Sequence, residues 1–241
     1  MSPRAAGSVL IAVPIHRAIR AVPSGSTVRK DRSSVYRWET TRAALAQRVF
    51  ATIRSRTYDQ AAATADTLLS AGLTTLEISL TTPFALEAVT TLVREVGDDA
   101  VIGAGTVVDA VSARMAIDAG ARFLLAPNLD EAVLRTGHRY GVPVFPGVAT
   151  PTEAVRAMEL GADALTLYPA SSMTPRWVAD LRTILPQAPI IPIGGVTVAE
   201  APEWIASGAV AVGMGSALTD GDRPTVTKRL TDLLDRLSDP T

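Results

Sequence analysis

Cysteine, histidine and lysine are scarce in this chain of 241 residues. It contains no cysteine and two histidines, His16 and His138, and its only lysines are Lys30 and Lys228. Without cysteine the chain can form no disulfide, no thiolate metal site and no cysteine nucleophile. His138 falls late in a predicted helix and His16 near the N-terminus, so we expect both to be structural or exposed. We therefore expect neither a metal ion nor another cofactor.

Strong net charge and long apolar runs are also lacking. The formal net charge is −1, which gives no electrostatic reason to expect nucleic acid or an anionic membrane surface as a partner. No apolar run approaches the roughly 18 residues that a membrane-spanning helix needs. We therefore expect a cytoplasmic protein whose partner is a small molecule.

The first 40 residues differ in composition from the rest. They are rich in arginine and serine, contain no acidic residue before Asp31, and hold one short apolar patch that Pro14 interrupts. A secretory signal is a weaker interpretation, because the patch is short and no clear cleavage site follows it. We expect residues 1–40 to be a loosely ordered extension or an over-long translation start. Residues 41–241 are expected to form one domain.

From Val49 onward, a strand-like apolar run followed by a helical pattern repeats eight times. The predicted strands cover 49–53, 74–80, 100–104, 122–126, 142–145, 163–168, 190–193 and 209–212. They are rich in Val, Ile and Leu without clear polar alternation, which indicates a parallel sheet covered by helices. Eight such units predict an α/β protein with the (β/α)8 TIM barrel fold. A Rossmann-type sheet is the alternative, but Gly103-Ala-Gly105 lacks the third glycine of the dinucleotide fingerprint.

Helix starts support the same order of elements. Thr150 and Asn128 each precede a glutamate by three residues, a spacing that is typical of the capping box at a helix N-terminus. Trp177 and Trp204 fall at helix positions that are suited to packing on the strands, so we predict that both belong to the core.

In barrels of this kind the active site lies at the carboxyl ends of the strands. The side chains at those ends that could bind a substrate are Arg54, Thr106, Pro127 and Thr150. These four residues are therefore predicted to contact the substrate.

Glu77 is the sharpest sign of chemistry. Leu76 and Ile78 take one face of the second strand, so Glu77 faces inward together with Ser79. An ionised carboxylate inside a barrel costs several kcal/mol unless it is paired, and burial raises its pKa towards a value that suits proton transfer. We predict that Glu77 moves protons or orients the substrate. A structural ion pair with Arg54 is the alternative.

Glycine pairs follow the seventh and eighth predicted strands. Barrels often bind phosphate there through backbone N–H groups and a helix N-terminus, and glycine lets the main chain approach an anion closely. Two tight turns are the alternative interpretation. The predicted phosphate or carboxylate site consists of Gly194, Gly195, Gly213, Gly215 and Ser216.

The sixth predicted strand directs a threonine towards the same interior. Leu165 and Leu167 point to one face of the strand, and Ala164 and Thr166 point to the other, because side chains alternate. Thr166 therefore joins Glu77 as a candidate catalytic residue.

The motif series resembles one known family. In family order and at family spacing the chain carries Leu76-Glu-Ile-Ser-Leu, Gly103-Ala-Gly-Thr, Ala126-Pro-Asn, Phe145-Pro-Gly-Val-Ala-Thr-Pro-Thr-Glu, Tyr168-Pro-Ala, Gly194-Gly-Val and Gly213-Met-Gly-Ser-Ala-Leu. These motifs resemble those of the 2-keto-3-deoxy-6-phosphogluconate / 4-hydroxy-2-oxoglutarate (KDPG/KHG) aldolase family, including its phosphogalactonate branch. The resemblance implies a homotrimeric (β/α)8 barrel that splits 2-keto-3-deoxy sugar acids to pyruvate and an aldehyde through a Schiff base. It also implies that Glu77 moves protons, that Arg54 helps to hold the substrate, and that the glycine loops hold its phosphate.

One position departs from the family pattern. The Schiff-base lysine of the family lies two residues before the aromatic-Pro step, and here that position is Thr166. A threonine hydroxyl cannot form an imine, so the ordinary class I cleavage should be lost or greatly slowed. Lys228 falls in the last predicted helix. Only Lys30, folding over the barrel mouth of its own or a neighbouring subunit, would change this expectation.

Three hypotheses follow. In the first, Glu77 removes a proton next to the carbonyl of a 2-oxo acid or phosphorylated sugar acid, giving enolisation, isomerisation, epimerisation or dehydration. In the second, the chain is a residual or variant 2-keto-3-deoxy-phosphogluconate-type aldolase. In the third, it is a non-catalytic ligand-binding or scaffold protein.

Overall fold

The computed structural model describes residues 36–238. Most of the predicted extension, with His16 and Lys30, lies outside the described residues. The strands are β1 (Val49–Ile53), β2 (Thr75–Ser79), β3 (Val101–Gly105), β4 (Leu124–Leu125), β5 (Val144–Phe145), β6 (Gly147–Val148), β7 (Leu165–Leu167), β8 (Ile190–Pro192) and β9 (Val212–Met214). The α-helices are α1 (Arg37–Leu45), α2 (Tyr58–Ser70), α3 (Ala85–Val96), α4 (Ala110–Asp118), α5 (Glu131–Arg139), α6 (Pro151–Glu159), α7 (Pro175–Ile184), α8 (Ala201–Ala206), α9 (Ser216–Thr219) and α10 (Arg223–Ser238). A 3₁₀ turn covers Ala170–Ser172.

The strands form two sheets in which every pairing is parallel. The first has six strands in the order β5-β4-β3-β2-β1-β9, and the second has three in the order β6-β7-β8. Pro146 separates β5 from β6, and an isolated parallel bridge between Ile193 and Gly213 joins the end of β8 to β9. The parallel α/β arrangement that the sequence predicted is confirmed.

The strands separate two hydrophobic cores. Outward-facing residues such as Leu76 and Ile78 pack against the helices. The inner core is built around three phenylalanines: Phe123 stacks on Phe145 with ring centroids 5.3 Å apart and meets Phe50 edge-on at 6.1 Å. This separation confirms the predicted side-chain alternation in the strands.

Two glycines make room for the phenylalanine rings. A Cβ atom on Gly103 would overlap the ring of Phe123, and one on Gly213 would lie 2.6 Å from Ile193 and 2.9 Å from Phe50. Because protein interiors are close-packed, each ring depends on an inward position that carries no side chain. Gly103 and Gly213 therefore serve packing.

Seven of the eight predicted strands differ from the observed strands at one end or both, mostly by one or two residues, and two of the differences have a clear cause. The last strand begins at Val212 rather than at residue 209, because its register with β1 starts where Val49 pairs with Val212. The fifth predicted strand is followed by the separate strand β6, because Pro146 has no N–H group with which to continue the ladder. The prediction extended or joined these segments because it relied on apolar composition alone.

Helix caps and helix packing agree with the sequence in part. Thr150 and Glu153 form the predicted capping box of α6. The predicted cap at Asn128 is wrong, because α5 begins three residues later and Asp130 accepts its capping hydrogen bond. Trp204 is buried and Trp177 is partly buried against the outer core, as predicted.

Crossing a bilayer requires a helix that is both long and apolar. Between residues 36 and 238, no helix meets both conditions.

Candidate active site

A cavity of about 570 Å³ opens at the carboxyl ends of the strands. Leu125 and Ile193 line it and also belong to the inner core, so the packed rings lie beneath it. The lining also includes the side chains of Thr52, Arg54, Glu77, Thr106, Tyr168 and Ser216. The cavity therefore lies at the end of the sheet that the barrel pattern predicted for a site.

Glu77 lies in the middle of β2 with its side chain inside this cavity wall, and the residue is only 1% exposed. The hydroxyl of Thr52 on the neighbouring strand β1 donates a hydrogen bond to Glu77 Oε2. On the other side, a Cβ atom on Gly105 of β3 would overlap Glu77 Oε1. The carboxyl group is thus held by a hydroxyl on one strand and accommodated by a glycine on the other.

The environment of Glu77 changes its acidity. Burial raises the pKa of Glu77 from 4.5 to about 7, although the hydrogen bond from Thr52 and the positive charge of Arg54 act in the opposite direction. A carboxyl group with this pKa is about half ionised at neutral pH. It can therefore both accept a proton and return it there.

Arg54 follows β1 and is joined to a chain of hydroxyl groups. Its Nε donates to Ser79 Oγ at 3.4 Å. Ser79 Oγ lies 2.8 Å from the hydroxyl oxygens of both Thr81 and Thr106. Among the described residues Arg54 forms no ion pair with Glu77, and it is the one cationic side chain that lines the cavity. The guanidinium group can therefore bind an anion that enters.

Another part of the cavity is lined by glycine backbone. Gly194 and Gly195 follow β8 with φ angles of 86° and 93°, which favour glycine. A Cβ atom on Gly194 would approach the ring of Tyr168 to 2.8 Å, and one on Gly195 would approach Ser171 to 2.5 Å. Side chains are excluded at these two positions, so the backbone itself faces the cavity.

Family comparison gives this geometry a context. The model of the aldolase family described as KDPG and KHG aldolase matches residues 41–231. The chain belongs to the KDPG and KHG aldolase family.

Curated relatives support the assignment. The chain is 35% identical over 171 residues to 2-dehydro-3-deoxy-6-phosphogalactonate aldolase of Escherichia coli K12, covering 70% of this chain and 83% of that one. It is 31% identical over 166 residues to 2-dehydro-3-deoxy-phosphogluconate aldolase of Zymomonas mobilis ZM4, covering 68% and 78% of the two chains. The similarity therefore covers most of each relative.

Solved structures of the aldolase family have the same fold. A native KDPGal structure superposes with a TM-score of 0.74 at 31% identity and covers 78% of this chain and 93% of that one. The 4-hydroxy-2-oxoglutarate aldolase/2-deydro-3-deoxyphosphogluconate aldolase from TTHB1 gives a TM-score of 0.74 at 32% identity and covers 83% and 98%. Both comparisons place the chain in the α/β fold of the family.

Most of the predicted site residues of this aldolase-family chain line the cavity. They are Arg54, Glu77, Thr106, Pro127, Gly194, Gly195, Gly215 and Ser216. The structure thus brings together the ends of β1, β2, β3, β4, β8 and β9, which are distant in sequence.

Three predicted residues lie outside the cavity lining. Thr150 uses its hydroxyl to cap α6 and accepts a hydrogen bond from the backbone of Glu153. Gly213 is enclosed by the inner core. Thr166 faces inward as predicted but is fully buried, with its hydroxyl 3.4 Å from the carbonyl oxygen of Ala126. A catalytic role for Thr166 stays a prediction.

Nine cavity-lining residues were not among the predicted site residues, and Thr52 and Tyr168 are two of them whose polar side chains strand alternation turns inward. Thr52 lies two residues before Arg54 on β1, so the same alternation that turns Arg54 inward also turns Thr52 inward. Tyr168 stands two residues after Thr166 and lines the cavity for the same reason. Period-two alternation was the signal that could have found both.

Lysine and histidine are remote from the cavity in the described chain. Lys228 on α10 is exposed and pairs with Asp232 at 2.6 Å. His138 lies at the amino ends of the strands, 3.8 Å from Asp163, which also pairs with Arg37 at 3.2 Å. The predicted structural role of His138 agrees with this position. Between residues 36 and 238, no group of three or more His, Cys, Asp or Glu side chains could hold a metal ion.

Proposed function

We propose that this aldolase-family chain is an enzyme that uses Glu77 to transfer protons on a 2-oxo acid or a phosphorylated sugar acid. The observation that carries the proposal is a fully buried carboxyl group with a pKa of about 7 on the wall of an open cavity. Arg54 lies at the end of the adjacent strand and matches the carboxylate of such a substrate. Thr106 and Pro127 would contact the same part of the substrate.

The chemistry starts from ionised Glu77. The carboxylate removes a proton from the carbon next to the keto group, and the electrons of that C–H bond move into the carbonyl to give an enolate. The guanidinium of Arg54 and the hydroxyl of Thr106 stabilise the developing negative charge. A proton delivered to the oxygen or to a carbon of the enolate completes enolisation, isomerisation or epimerisation, and loss of a neighbouring hydroxyl gives dehydration.

Variant aldolase activity is the second candidate. The curated relatives are named as aldolases of 2-dehydro-3-deoxy sugar acids, and this identity favours cleavage. Class I cleavage needs an amine, whereas Thr166 offers a hydroxyl and Lys228 lies on the outer helix α10. Cleavage by this chain would therefore proceed through an enolate rather than an enamine.

The glycine loops are proposed to bind the far end of the substrate. Gly194, Gly195 and Gly215, together with Ser216, line the cavity where a phosphate of a phosphorylated sugar acid would lie. Open backbone N–H groups and a hydroxyl suit such an anion. Gly213 and Thr150 would act from outside the cavity, through packing and capping.

We take the nine strands to form a closed (β/α)8 barrel. Two features support closure. Pro146 links β5 directly to β6, so the two segments count as one strand of the barrel. The bridge between Ile193 and Gly213 connects β8 to β9. Counted in this way, the proposed barrel has eight strands, the number that the sequence predicts.

A homotrimer is also part of the proposal. Val111 and Met115 lie one turn apart on α4 and are 69% and 50% exposed, and Val108 just before the helix is 49% exposed. Neighbouring exposed apolar side chains suit a subunit contact. Sedimentation of the wild type should give a trimer that Val111→Asp dissociates, and a monomeric wild type would contradict this part.

Incubation with a panel of 2-oxo acids and their phosphates in deuterated water, followed by NMR, tests the function. Proton chemistry predicts deuterium at the carbon next to the carbonyl in the wild type and none in Glu77→Gln. Release of pyruvate from 2-keto-3-deoxy-6-phosphogluconate would favour the aldolase candidate instead. Thermal stabilisation by a compound that undergoes neither reaction would indicate a binding protein.

A further inference from the structure

Tyr168 places a phenol in the same cavity as Glu77. It follows β7 and has the inward alternation of Ala164 and Thr166, and it lines the cavity with 39% of its surface exposed. Among the described residues, it is the backbone N–H of Tyr168, not its hydroxyl, that donates a hydrogen bond, and the acceptor is the carbonyl of Val148. The absence of a side chain at Gly194 leaves space for the ring. The phenol hydroxyl is therefore free to face a bound molecule.

In the closed barrel proposed above, Tyr168 lies opposite Glu77. Counted in one direction from β2 to β7, the intervening strands are β3, β4 and the joined β5/β6. Counted in the other direction, they are β1, β9 and β8. Each route takes four steps. In a closed barrel with a strand spacing of about 4.8 Å, opposite walls are roughly 15 Å apart. Two long side chains that reach inward across this width leave space for a small molecule between them.

We infer that Tyr168 is a second catalytic proton-transfer group, which acts on the face of the substrate opposite to Glu77. This inference rests on the proposed function and specifies it: the substrate is a 2-oxo acid with an exchangeable hydrogen at C3, and a C3 stereocentre is inverted. Two-sided access of this kind is what inversion requires, because a single base returns the proton to the face from which it was taken.

The proton balance closes without another reagent. Glu77 takes the C3 proton, and the C–H electrons form the enolate. The Tyr168 hydroxyl then gives its proton to the other face of C3 as the carbonyl re-forms, leaving a phenolate and a protonated carboxyl group. Proton exchange with solvent water restores both groups. In the reverse direction the phenolate of Tyr168 removes the proton and the protonated carboxyl group of Glu77 donates one to the other face.

The test uses 2-oxobutanoate, whose C3 carries two stereochemically distinct hydrogens, in deuterated water with the full-length protein. Wild type should replace both hydrogens with deuterium. Tyr168→Phe should replace only one, with the second incorporation at least ~100-fold slower, a typical size for loss of an acid–base group. Tyr140→Phe is the matched control, because Tyr140 is also exposed but its ring packs under Arg114, 4.2 Å from the guanidinium carbon, outside the cavity.

The outcomes separate this inference from the function on which it rests. Double exchange by Tyr168→Phe at the wild-type rate would overturn the inference and leave the role of Glu77 intact. Equal slowing of both exchanges would also overturn it, because Tyr168 would then act on the carbonyl or on the fold. No exchange by the wild type would remove the proposed function itself. Thermal melting of Tyr168→Phe at the wild-type temperature shows that the variant is folded.

Discussion

On the inner face of the strands, an absent glycine side chain makes room for a neighbouring side chain at two levels. The lower level is the inner phenylalanine core, and the upper level is the wall of the cavity. In the lower level, the ring of Phe123 occupies the space where a side chain of Gly103 on β3 would lie. Gly105 is the next inward position on the same strand. In the upper level, the carboxyl group of Glu77 occupies the space where a side chain of Gly105 would lie. One glycine thus allows tight apolar packing, and the other allows a buried charge-forming group.

The two levels differ in what they contribute to stability. Burial of the three phenylalanines favours the folded state, since large aromatic side chains contribute much of a core's stabilisation. Burial of Glu77 opposes it, because the pKa rises from 4.5 to about 7. A shift of this size corresponds to about 3 kcal/mol of lost stability above pH 7. Two residues along β3, from Gly103 to Gly105, therefore separate a position that serves stability from one that serves the proposed chemistry.

The largest expected effect comes from Glu77→Gln. Proton exchange should fall by at least ~100-fold, as is usual when an acid–base group is removed. Exchange by the wild type should rise with pH through about 7, because the ionised form of Glu77 is the base. NMR exchange rates measured from pH 5 to 9 check both statements.

The same variant has a stability signature with a defined sign. As pH rises from about 4.5 to 7, the unfolded wild type loses the Glu77 proton before the folded protein does, so wild-type stability falls. Glu77→Gln should lack this decline and be the more stable protein at pH 8. Urea unfolding at pH 5 and pH 8 measures the difference, and parallel pH dependence in the two proteins would contradict it.

The next effect comes from a matched pair of substitutions on β3. Gly105→Ala should displace the flexible end of Glu77 and reduce exchange at least ~10-fold with a small change in stability. Gly103→Ala should meet the ring of Phe123, which cannot move between Phe50 and Phe145, and should destabilise the fold by about 1–3 kcal/mol. Exchange rates and urea unfolding of both variants test the distinction. Equal loss of stability in both would show that the two levels are one packing unit.

Thr166 is buried, faces inward and does not belong to the cavity lining. Thr166→Lys should place an amine below the cavity and restore imine formation if the pocket is that of the family. Borohydride reduction in the presence of pyruvate should then give a covalent mass increase at this residue. Wild type, treated identically, is the control. A folded variant without the adduct would show that the Thr166 position does not correspond to the family's lysine.

Alternation along the strands carried most of what the sequence could predict. It assigned Glu77 and Thr166 to the inner face and Leu76 to the outer face, and the strands have these orientations. Inward alternation does not report height along the strands, so it could not show that Thr166 lies outside the cavity lining, and Gly213 was placed after a strand that in fact includes it. The height depends on strand stagger and on which inward side chains fill the lower level, and both arise from tertiary packing.

The smallest expected effect concerns Thr52, whose hydroxyl belongs to the upper level and donates to Glu77. Thr52→Val keeps the shape of the side chain and removes the hydrogen bond that favours the ionised carboxylate. A hydrogen bond to a charged group contributes roughly 1.5–3 kcal/mol, so the midpoint of the exchange profile should move upward by about one to two pH units. The plateau rate at high pH should change only a few-fold, because Glu77 remains the base. Thr52→Ser retains the hydroxyl and should keep the wild-type midpoint. A common midpoint in all three proteins would show that Thr52 fills space on the cavity wall without tuning Glu77.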